Sequence, residues 1–407
     1  MILSATEFEE QGVTFPGGFK TSGVRTGLKS AGPDVALIVS DEPCPVAGVF
    51  TTNQVKASCV TWSQRVVALG RAQAIFVNAG NANACNGPQG DRDTETMATL
   101  VSRNLNIPSN RVLIASTGVI GHLMPMEKIA AGVPKAVTTL EQSPKADVIA
   151  AKAIMTTDLR QKMAAIEFQS DNWLGPIRFG GMCKGSGMIA PNMATMLCFV
   201  TTDAALPQGL LQTALVRAIE KTFNRITVDG DTSTNDMTLV MASGKSSIDI
   251  ESEGPAFEDF VSALQTICLN LAKLVVRDGE GATKLAQVTV KGTQSEADAV
   301  KIARTIAESP LVKTALFGSD PNWGRIMMAA GRAGIPFDFN LTDVFIGSTI
   351  VFERGTGVPF DRDACSDYLK QEEISLTVDL HSGDASADIW TCDFSYDYVK
   401  INAEYHT

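Results

Sequence analysis

The stretch Lys184–Val200, KGSGMIAPNMATMLCFV, places a lysine and a threonine where a glycine-rich loop meets an apolar run. Thr195 begins that run, and β-branching alone accounts for a threonine there because it favours extended backbone. A threonine hydroxyl becomes an effective nucleophile when a base removes its proton, and the α-amine of an N-terminal threonine is such a base. This amine titrates near ~7.7–8.0, which suits general-base work. Thr195 is therefore a candidate nucleophile only if the Ala194–Thr195 bond is cut.

A second candidate lies in the segment IASTGVIG, residues 114–121. It is typical of a strand that ends in a tight turn at Ser-Thr-Gly. The Thr117 hydroxyl and the Gly118 amide would then form a pair of donors able to stabilise an oxyanion. An ordinary turn at the end of a strand is the alternative.

Two further polar motifs leave their function open. The segment TVDGDTSTND, residues 227–236, resembles a calcium loop, but Thr234 and Val240 stand where an EF-hand needs Gly and Glu. We interpret it as a polar loop rich in turns. Glu280 follows the end of a predicted helix, where the helix dipole does not favour an anion. It is therefore either a ligand for a cation or a solvated loop acid.

The glycine loop GGMCKGSG, residues 180–187, matches neither common phosphate-binding pattern. It lacks the G-x-x-x-x-G-K-[ST] spacing, and strand-like rather than helical sequence follows it. We interpret it as a mobile hairpin.

Periodicity and breaker residues predict an α+β protein with layered sheets covered by helices. Strands are predicted at residues 35–40, 47–52, 74–78, 111–116, 165–169, 176–180, 195–201, 285–291 and 344–352, with two or three more in 374–402. Helices are predicted at residues 94–105, 126–140, 146–155, 207–222, 256–277 and 297–309.

Composition excludes several classes of function. The net charge is −11 without a Lys/Arg stripe, which argues against nucleic-acid binding. The eight cysteines form no C-x-x-C pair, so neither a zinc site nor a disulfide framework is indicated. No uninterrupted apolar stretch approaches the length needed to cross a membrane, and the first residues resemble no signal peptide. We expect a cytoplasmic protein that uses no metal.

The chain resembles the glutamate N-acetyltransferase family, also called the ornithine acetyltransferase family, of arginine biosynthesis. The resemblance covers essentially the whole chain and shows no departure at the positions that carry chemistry. Its motifs, in chain order, are NAGNANACNG (78–87), STG (116–118), TTD (156–158), KGSGMIAPNMATML (184–197), DGDTSTND (229–236), RDGEGATK (277–284), GSDPNWGRI (318–326) and INAEYHT (401–407).

The resemblance implies self-cleavage between Ala194 and Thr195, giving an α chain of residues 1–194 and a β chain of residues 195–407. It implies Thr195 as the nucleophile, with Thr117 and Gly118 as the oxyanion hole. The implied substrate contacts are Thr156, Lys184, Thr195, Glu280, Asn402 and Thr407. It also implies an α/β/β/α sandwich resembling N-terminal-nucleophile hydrolases, with its own topology, and an α2β2 heterotetramer.

The implied reaction moves an acetyl group from N2-acetyl-L-ornithine to L-glutamate through an acetyl-threonine intermediate. No cofactor is expected, since the acetyl group is carried by the enzyme, and the sequence leaves open whether acetyl-CoA is also a donor. Two alternatives remain at this stage. A self-processing aminopeptidase or amidase of similar architecture would pass the acyl group to water, and a binding or scaffold protein would never cleave.

Overall fold

The computed structural model describes residues 3–190, 196–246 and 248–404, in which sixteen strands form two sheets and eleven α-helices pack against them. The strands are β1 Ser4–Glu7, β2 Phe19–Val24, β3 Val35–Phe50, β4 Arg71–Asn81, β5 Val112–Val119, β6 Lys162–Gln169, β7 Ile177–Lys184, β8 Leu197–Thr202, β9 Ile226–Thr227, β10 Met237–Ala242, β11 Leu285–Thr293, β12 Asp343–Ile346, β13 Thr349–Glu353, β14 Thr356–Gly357, β15 Glu373–Asp379 and β16 Ala385–Cys392. The helices are α1 Ser58–Ala68, α2 Gly87–Leu105, α3 Met126–Thr138, α4 Pro144–Ala153, α5 Gln208–Glu220, α6 Pro255–Arg277, α7 Glu296–Ala307, α8 Pro310–Phe317, α9 Trp323–Gly331, α10 Arg362–Leu369 and α11 Tyr396–Glu404. The predicted α+β class is confirmed.

The larger sheet has the strand order β1-β6-β7-β8-β10-β3-β4-β5, with β2 also paired to β3. At its centre β8 runs parallel to β10 and antiparallel to β7. Strands from both sides of residue 195 therefore lie next to each other, and the larger sheet contains strands of both segments.

The alternation of side chains along β8 explains how the larger sheet packs against an apolar core on each of its two faces. Leu197 and Phe199 belong to the core beneath α1–α4, whereas Cys198 and Val200 belong to the core beneath α5 and α6. Successive side chains of a strand point to opposite faces, so a strand of continuous apolar residues must be covered on both.

Helix α6 is the longest helix among the described residues, and its length and composition alone would allow it to span a membrane. In the structure 61% of its most apolar window is buried inside the protein. Leu264, Ile267 and Leu271 are fully buried in the core it shares with the larger sheet. Its hydrophobicity is thus accounted for by packing within the core.

The glycine-rich segment is not the predicted mobile hairpin in its first half. Gly180 to Lys184 form the end of β7, paired with β6 and β8. A Cβ atom at Gly180 would lie only 1.9 Å from the main-chain oxygen of Gly12. Glycine is needed at this position because another backbone crosses the strand, not because the strand must move.

The smaller sheet has the order β14-β13-β12-β15-β11-β16-β9 and shares a core with α7–α10. The predicted strand over residues 344–352 is a hairpin of β12 and β13, which turns at Gly347 with φ 58°. The predicted strands of the tail stop at Cys392, and the residues from Tyr396 form helix α11 instead.

Candidate active site

Three strand ends meet at one point of the larger sheet. Lys184, the last residue of β7, pairs with Leu197, the first residue of β8, and Leu197 pairs with Met237, the first residue of β10. One step further out, the Met237 N–H donates to the Met196 oxygen at 3.1 Å. The register therefore brings together Lys184, Met196 and the residue before Met237, which is Asp236.

The Thr117–Gly118 pair lies across the sheet, where β4 and β5 run side by side. Gly118 is part of β5 rather than of a turn, and it pairs with Gly80. Its φ is 126°, and a Cβ atom there would lie 2.4 Å from the Gly80 carbonyl carbon. Both the backbone conformation and the close approach exclude any larger residue. The predicted turn was wrong, since the strand continues to Val119.

An asparagine joins this pair to the three strand ends. The Asn235 side-chain amide donates to the main-chain oxygens of Ser116 at 2.8 Å and of Ala82 at 2.6 Å. Asn235 is buried and directly precedes Asp236. The position of the Thr117–Gly118 backbone is thereby fixed relative to the beginning of β10.

Glu280 reaches the same region from the loop after α6. Its N–H donates to the Ser186 oxygen at 3.1 Å, and its Oε2 accepts from the Asn402 amide at 2.9 Å. A Cβ atom on Gly187 would lie 2.3 Å from Oε2, so this glycine leaves the space that the carboxylate occupies. Helix α11, which carries the exposed Asn402, thus contributes to the site.

A buried charge cluster lies beneath these loops. The Lys162 ammonium contacts Asp158 and Asp278, each at 2.6 Å. Asp158 also accepts from the N–H groups of Thr156 at 2.9 Å and Gly185 at 2.8 Å. Burial would raise the pKa of the Asp158 carboxyl, but the charges of Lys184 and Lys162 outweigh it and hold this pKa well below its ordinary value. The cluster therefore fixes two of the segments that line the site, and its Asp158 carboxyl stays ionised.

The 229–236 loop holds both flanks of the segment that contains residue 195. On the first flank Asp229 accepts from the N–H groups of Met188 at 2.6 Å and Ile189 at 2.8 Å, and the Thr232 hydroxyl donates to the Ala190 oxygen at 3.0 Å. On the second flank Met196 contacts the end of the loop through Met237. The polar, turn-rich interpretation of this loop is thus incomplete.

These elements enclose a cavity of about 160 Å³. Six of the predicted site residues line it, namely Thr117, Gly118, Thr156, Lys184, Glu280 and Asn402. Lys184 is 9% exposed and donates no hydrogen bond to any other described residue. The remaining predicted positions, Ala194, Thr195 and Thr407, lie outside the described residues.

Sequence reasoning missed several residues of the cavity wall, which are Asp229, Asn235, Asp236 and Tyr398. The DGDTSTND motif was the available signal for three of them, but its resemblance to a calcium loop directed attention to the wrong chemistry. Within the described ranges, no group of three or more His, Cys, Asp or Glu side chains could hold a metal ion.

A small cavity with one buried ammonium, several carboxyl groups and a positive-φ glycine beside a hydroxyl suits a small charged ligand with a carbonyl group. The sequence model of the ArgJ family matches residues 20–407, and the chain belongs to that family.

Close relatives match over their whole length. The Nostoc sp. arginine biosynthesis bifunctional protein ArgJ 1 is 48% identical over 97% of this chain and 98% of its own. The corresponding Synechococcus sp. protein is 47% identical over 100% of both chains. The Mycobacterium tuberculosis ornithine acetyltransferase, solved in complex with ornithine, is 42% identical over 47% of this chain and 100% of that one, with a TM-score of 0.44.

Proposed function

We propose that this chain is a self-cleaving acetyltransferase that moves the acetyl group of N2-acetyl-L-ornithine to L-glutamate through an acetyl ester on Thr195. The observation that carries the proposal is the convergence of Thr117, Gly118, Lys184 and Glu280 on one cavity at the start of β8, two residues after Thr195. The names of the relatives, which assign them to arginine biosynthesis, agree with this substrate class.

The first half-reaction transfers the acetyl group to the protein. The Thr195 hydroxyl attacks the acetamide carbon while its own α-amine takes the hydroxyl proton. Donors from Thr117 and Gly118 stabilise the negative charge that develops on the carbonyl oxygen. The C–N bond then breaks, the amine returns the proton to the departing nitrogen, and ornithine leaves.

The second half-reaction is the reverse with another amine. The glutamate amine attacks the ester carbon, the Thr195 oxygen leaves and regains its proton, and N-acetylglutamate is released. Lys184 suits the α-carboxylate that both substrates carry, because it has no ionic partner within 4 Å among the described residues. Glu280 suits the side-chain ammonium of ornithine, and the Asn402 amide orients its carboxylate.

The proposal is tested with Thr195→Ala. The wild-type chain should run on a denaturing gel as two bands of about half the full 43.2 kDa, and the second should begin Thr-Met-Leu-Cys. The variant should remain one band and lose transfer by about a thousandfold or more, because it lacks the nucleophile. Thr213→Ala, at an exposed threonine of α5, is the matched control and should behave as wild type. A Thr195→Ala protein that still transfers acetyl groups would overturn the proposal.

The identity of the acceptor separates transfer from hydrolysis. We expect N-acetylornithine to be consumed much faster with glutamate than without it, whereas an amidase would release acetate equally in both. No cofactor is needed in this scheme. Acetyl-CoA as the sole donor, with glutamate as acceptor, tests whether the chain also has the second activity that the word bifunctional in the relatives' names suggests.

Cleavage need not separate the chains. Residues 1–194 and 195–407 would remain joined through the β7–β8 and β3–β10 pairings of the larger sheet. We propose that they assemble as a cytoplasmic α2β2 tetramer, for which native mass spectrometry should give about twice the mass of one uncut chain.

A further inference from the structure

The proposed function leaves one chemical step without a base. In the uncut chain the Thr195 nitrogen belongs to an amide, which cannot accept the hydroxyl proton as an α-amine does. Self-cleavage therefore needs another group that takes this proton and later gives one to the departing nitrogen. The inference below rests on the self-cleavage proposed above.

Asp236 is a buried carboxyl beside Met196, the residue that follows Thr195 in the chain. It is 2% exposed and lines the cavity at the start of β10. Its carboxyl accepts a hydrogen bond from the Met196 N–H, and Met196 directly follows Thr195 in the chain. The Met196 nitrogen is bonded to the Thr195 carbonyl carbon, so a group that contacts this nitrogen is one residue away from Thr195 along the chain.

One oxygen of this carboxyl is unused in the described part of the chain. Asp236 Oδ2 is buried and accepts no hydrogen bond there. Buried polar oxygens are almost always paired, so an unpaired one at a cavity wall needs an explanation. An oxygen that accepts the proton of a reacting hydroxyl must be free of other hydrogen bonds, and Asp236 Oδ2 meets this requirement among the described residues.

The cavity wall has three other acids, of which Asp231 is exposed and the remaining two accept hydrogen bonds from described groups. The two Asp229 oxygens accept from the main chain before residue 191, and Glu280 accepts from Asn402. Burial raises the pKa of the Asp236 carboxyl well above its ordinary value, although Ser233, Lys184 and Met196 oppose this shift. A raised pKa makes the carboxylate the stronger base.

We propose that Asp236 is the proton acceptor and donor of self-cleavage. Its carboxylate takes the Thr195 hydroxyl proton as Oγ attacks the Ala194 carbonyl carbon. The C–N bond breaks, the Asp236 carboxyl gives the proton to the Thr195 nitrogen, and an ester joins Ala194 to Thr195 Oγ. Water then hydrolyses this ester, which leaves the Ala194 carboxylate and returns the hydrogen to Oγ.

The test is the rate of cleavage of newly made full-length chain, followed by pulse–chase translation and denaturing gels. Asp236→Asn keeps a side-chain oxygen for the Met196 N–H but cannot accept the proton, so cleavage should slow by about 10²-fold or more. Asp236→Glu restores a carboxyl and should cleave within about tenfold of wild type. Circular dichroism and thermal melting report whether each variant is folded.

Asp203→Asn is the matched control. Asp203 is also a buried carboxyl of raised pKa, it accepts from the Arg178 N–H at 2.9 Å, and it lies just past the opposite end of β8. Its variant should cleave at the wild-type rate.

The outcomes separate this inference from the proposed function. A folded Asp236→Asn chain that cleaves at the wild-type rate overturns the role of Asp236 and leaves the acetyltransferase proposal intact. A misfolded Asp236→Asn chain beside a folded but uncut Asp236→Glu chain also overturns it. A wild-type chain that stays uncut overturns self-cleavage itself, and Asp236 with it.

Discussion

Two of the described lysines, Lys162 and Lys313, are almost completely buried, and the groups that surround them differ in kind. Lys162, beneath the cavity, is 2% exposed and contacts two carboxylates at 2.6 Å. Lys313, on α8 beside the smaller sheet, is 0% exposed, and its ammonium meets the Thr391 hydroxyl at 2.8 Å, the Cys392 carbonyl and the face of Phe394. In the first region the buried ammonium charge is balanced by carboxylate charges. In the second the ammonium is contacted by a hydroxyl, a carbonyl and an aromatic ring, which carry no net charge.

The pKa shifts of the two ammonium groups reflect this difference. Burial lowers the pKa of a lysine, and at Lys313 burial prevails over its partners. At Lys162 the charges of Asp158 and Asp278 outweigh burial and raise the pKa. Since the same carboxylates also bind the segments that line the cavity, the comparison suggests that the charged cluster positions the site while Lys313 only fills the core.

The largest expected effect comes from removing each ammonium. Lys162→Met leaves two buried carboxylates without their cation, which should cost about 3–5 kcal/mol of unfolding free energy. Lys313→Met removes the ammonium donor of the Cys392 carbonyl and leaves only the Thr391 hydroxyl at 3.4 Å among the described side-chain donors, which should cost about 1–2 kcal/mol. Urea unfolding of both variants measures the difference, with the slope m checked for change. Equal losses would mean that the two regions do not differ in this way.

At alkaline pH the contributions of the two lysines to the free energy of unfolding should change with pH in opposite directions. The raised pKa of Lys162 contributes stability that is complete below the unfolded value of 10.5 and is lost as pH rises through the higher folded pKa. The lowered pKa of Lys313 does the opposite, since stability rises with pH between the folded pKa and 10.5. Each proton contributes at most about 1.4 kcal/mol per pH unit.

The measurement is the difference in unfolding free energy between wild type and each variant from about pH 8 to 11. Relative to wild type, Lys313→Met should lose stability as pH rises below 10.5, and Lys162→Met should regain it only above 10.5. Taking differences removes the contribution of the other groups that titrate in this range. Slopes of the same sign would contradict the comparison.

The sequence predicts the strands and helices well where their pattern is local. The helices predicted over residues 207–222, 256–277 and 297–309 correspond to α5, α6 and α7, because each buries one regular stripe. Two interpretations, the mobile hairpin that includes Gly180 and the turn at Gly118, were wrong because a distant part of the chain determines each glycine. Gly180 packs against Gly12 and Gly118 against Gly80, and nothing within a short window reveals which backbone will approach a glycine.

The residues of the candidate site also divide into those that their local sequence predicts and those that depend on distant pairing. The Thr117–Gly118 pair, Lys184 and Glu280 could be proposed from their types and neighbours. Asp236 could not, because its burial and its contact with Met196 depend on β10 lying beside β8, a pairing between segments about forty residues apart. The family resemblance supplied the other cavity contacts without giving a physical reason for them, and the hydrogen bond between Asn402 and Glu280 gives one.

The smallest effect is expected at the cavity rim, where Asn402 is exposed and contributes one hydrogen bond at 2.9 Å to Glu280. Asn402→Ala should leave folding and cleavage unchanged and raise the KM for N-acetylornithine about three- to tenfold, which is the value of one solvent-exposed hydrogen bond, about 0.7–1.4 kcal/mol. The kcat should change little, because the amide touches no reacting atom. Lys400→Ala, at an exposed position on the same helix, is the control and should match wild type. A loss confined to kcat would show instead that α11 affects the chemical step. Asn402 would then act as the charged cluster does, by positioning the site, and not by binding substrate.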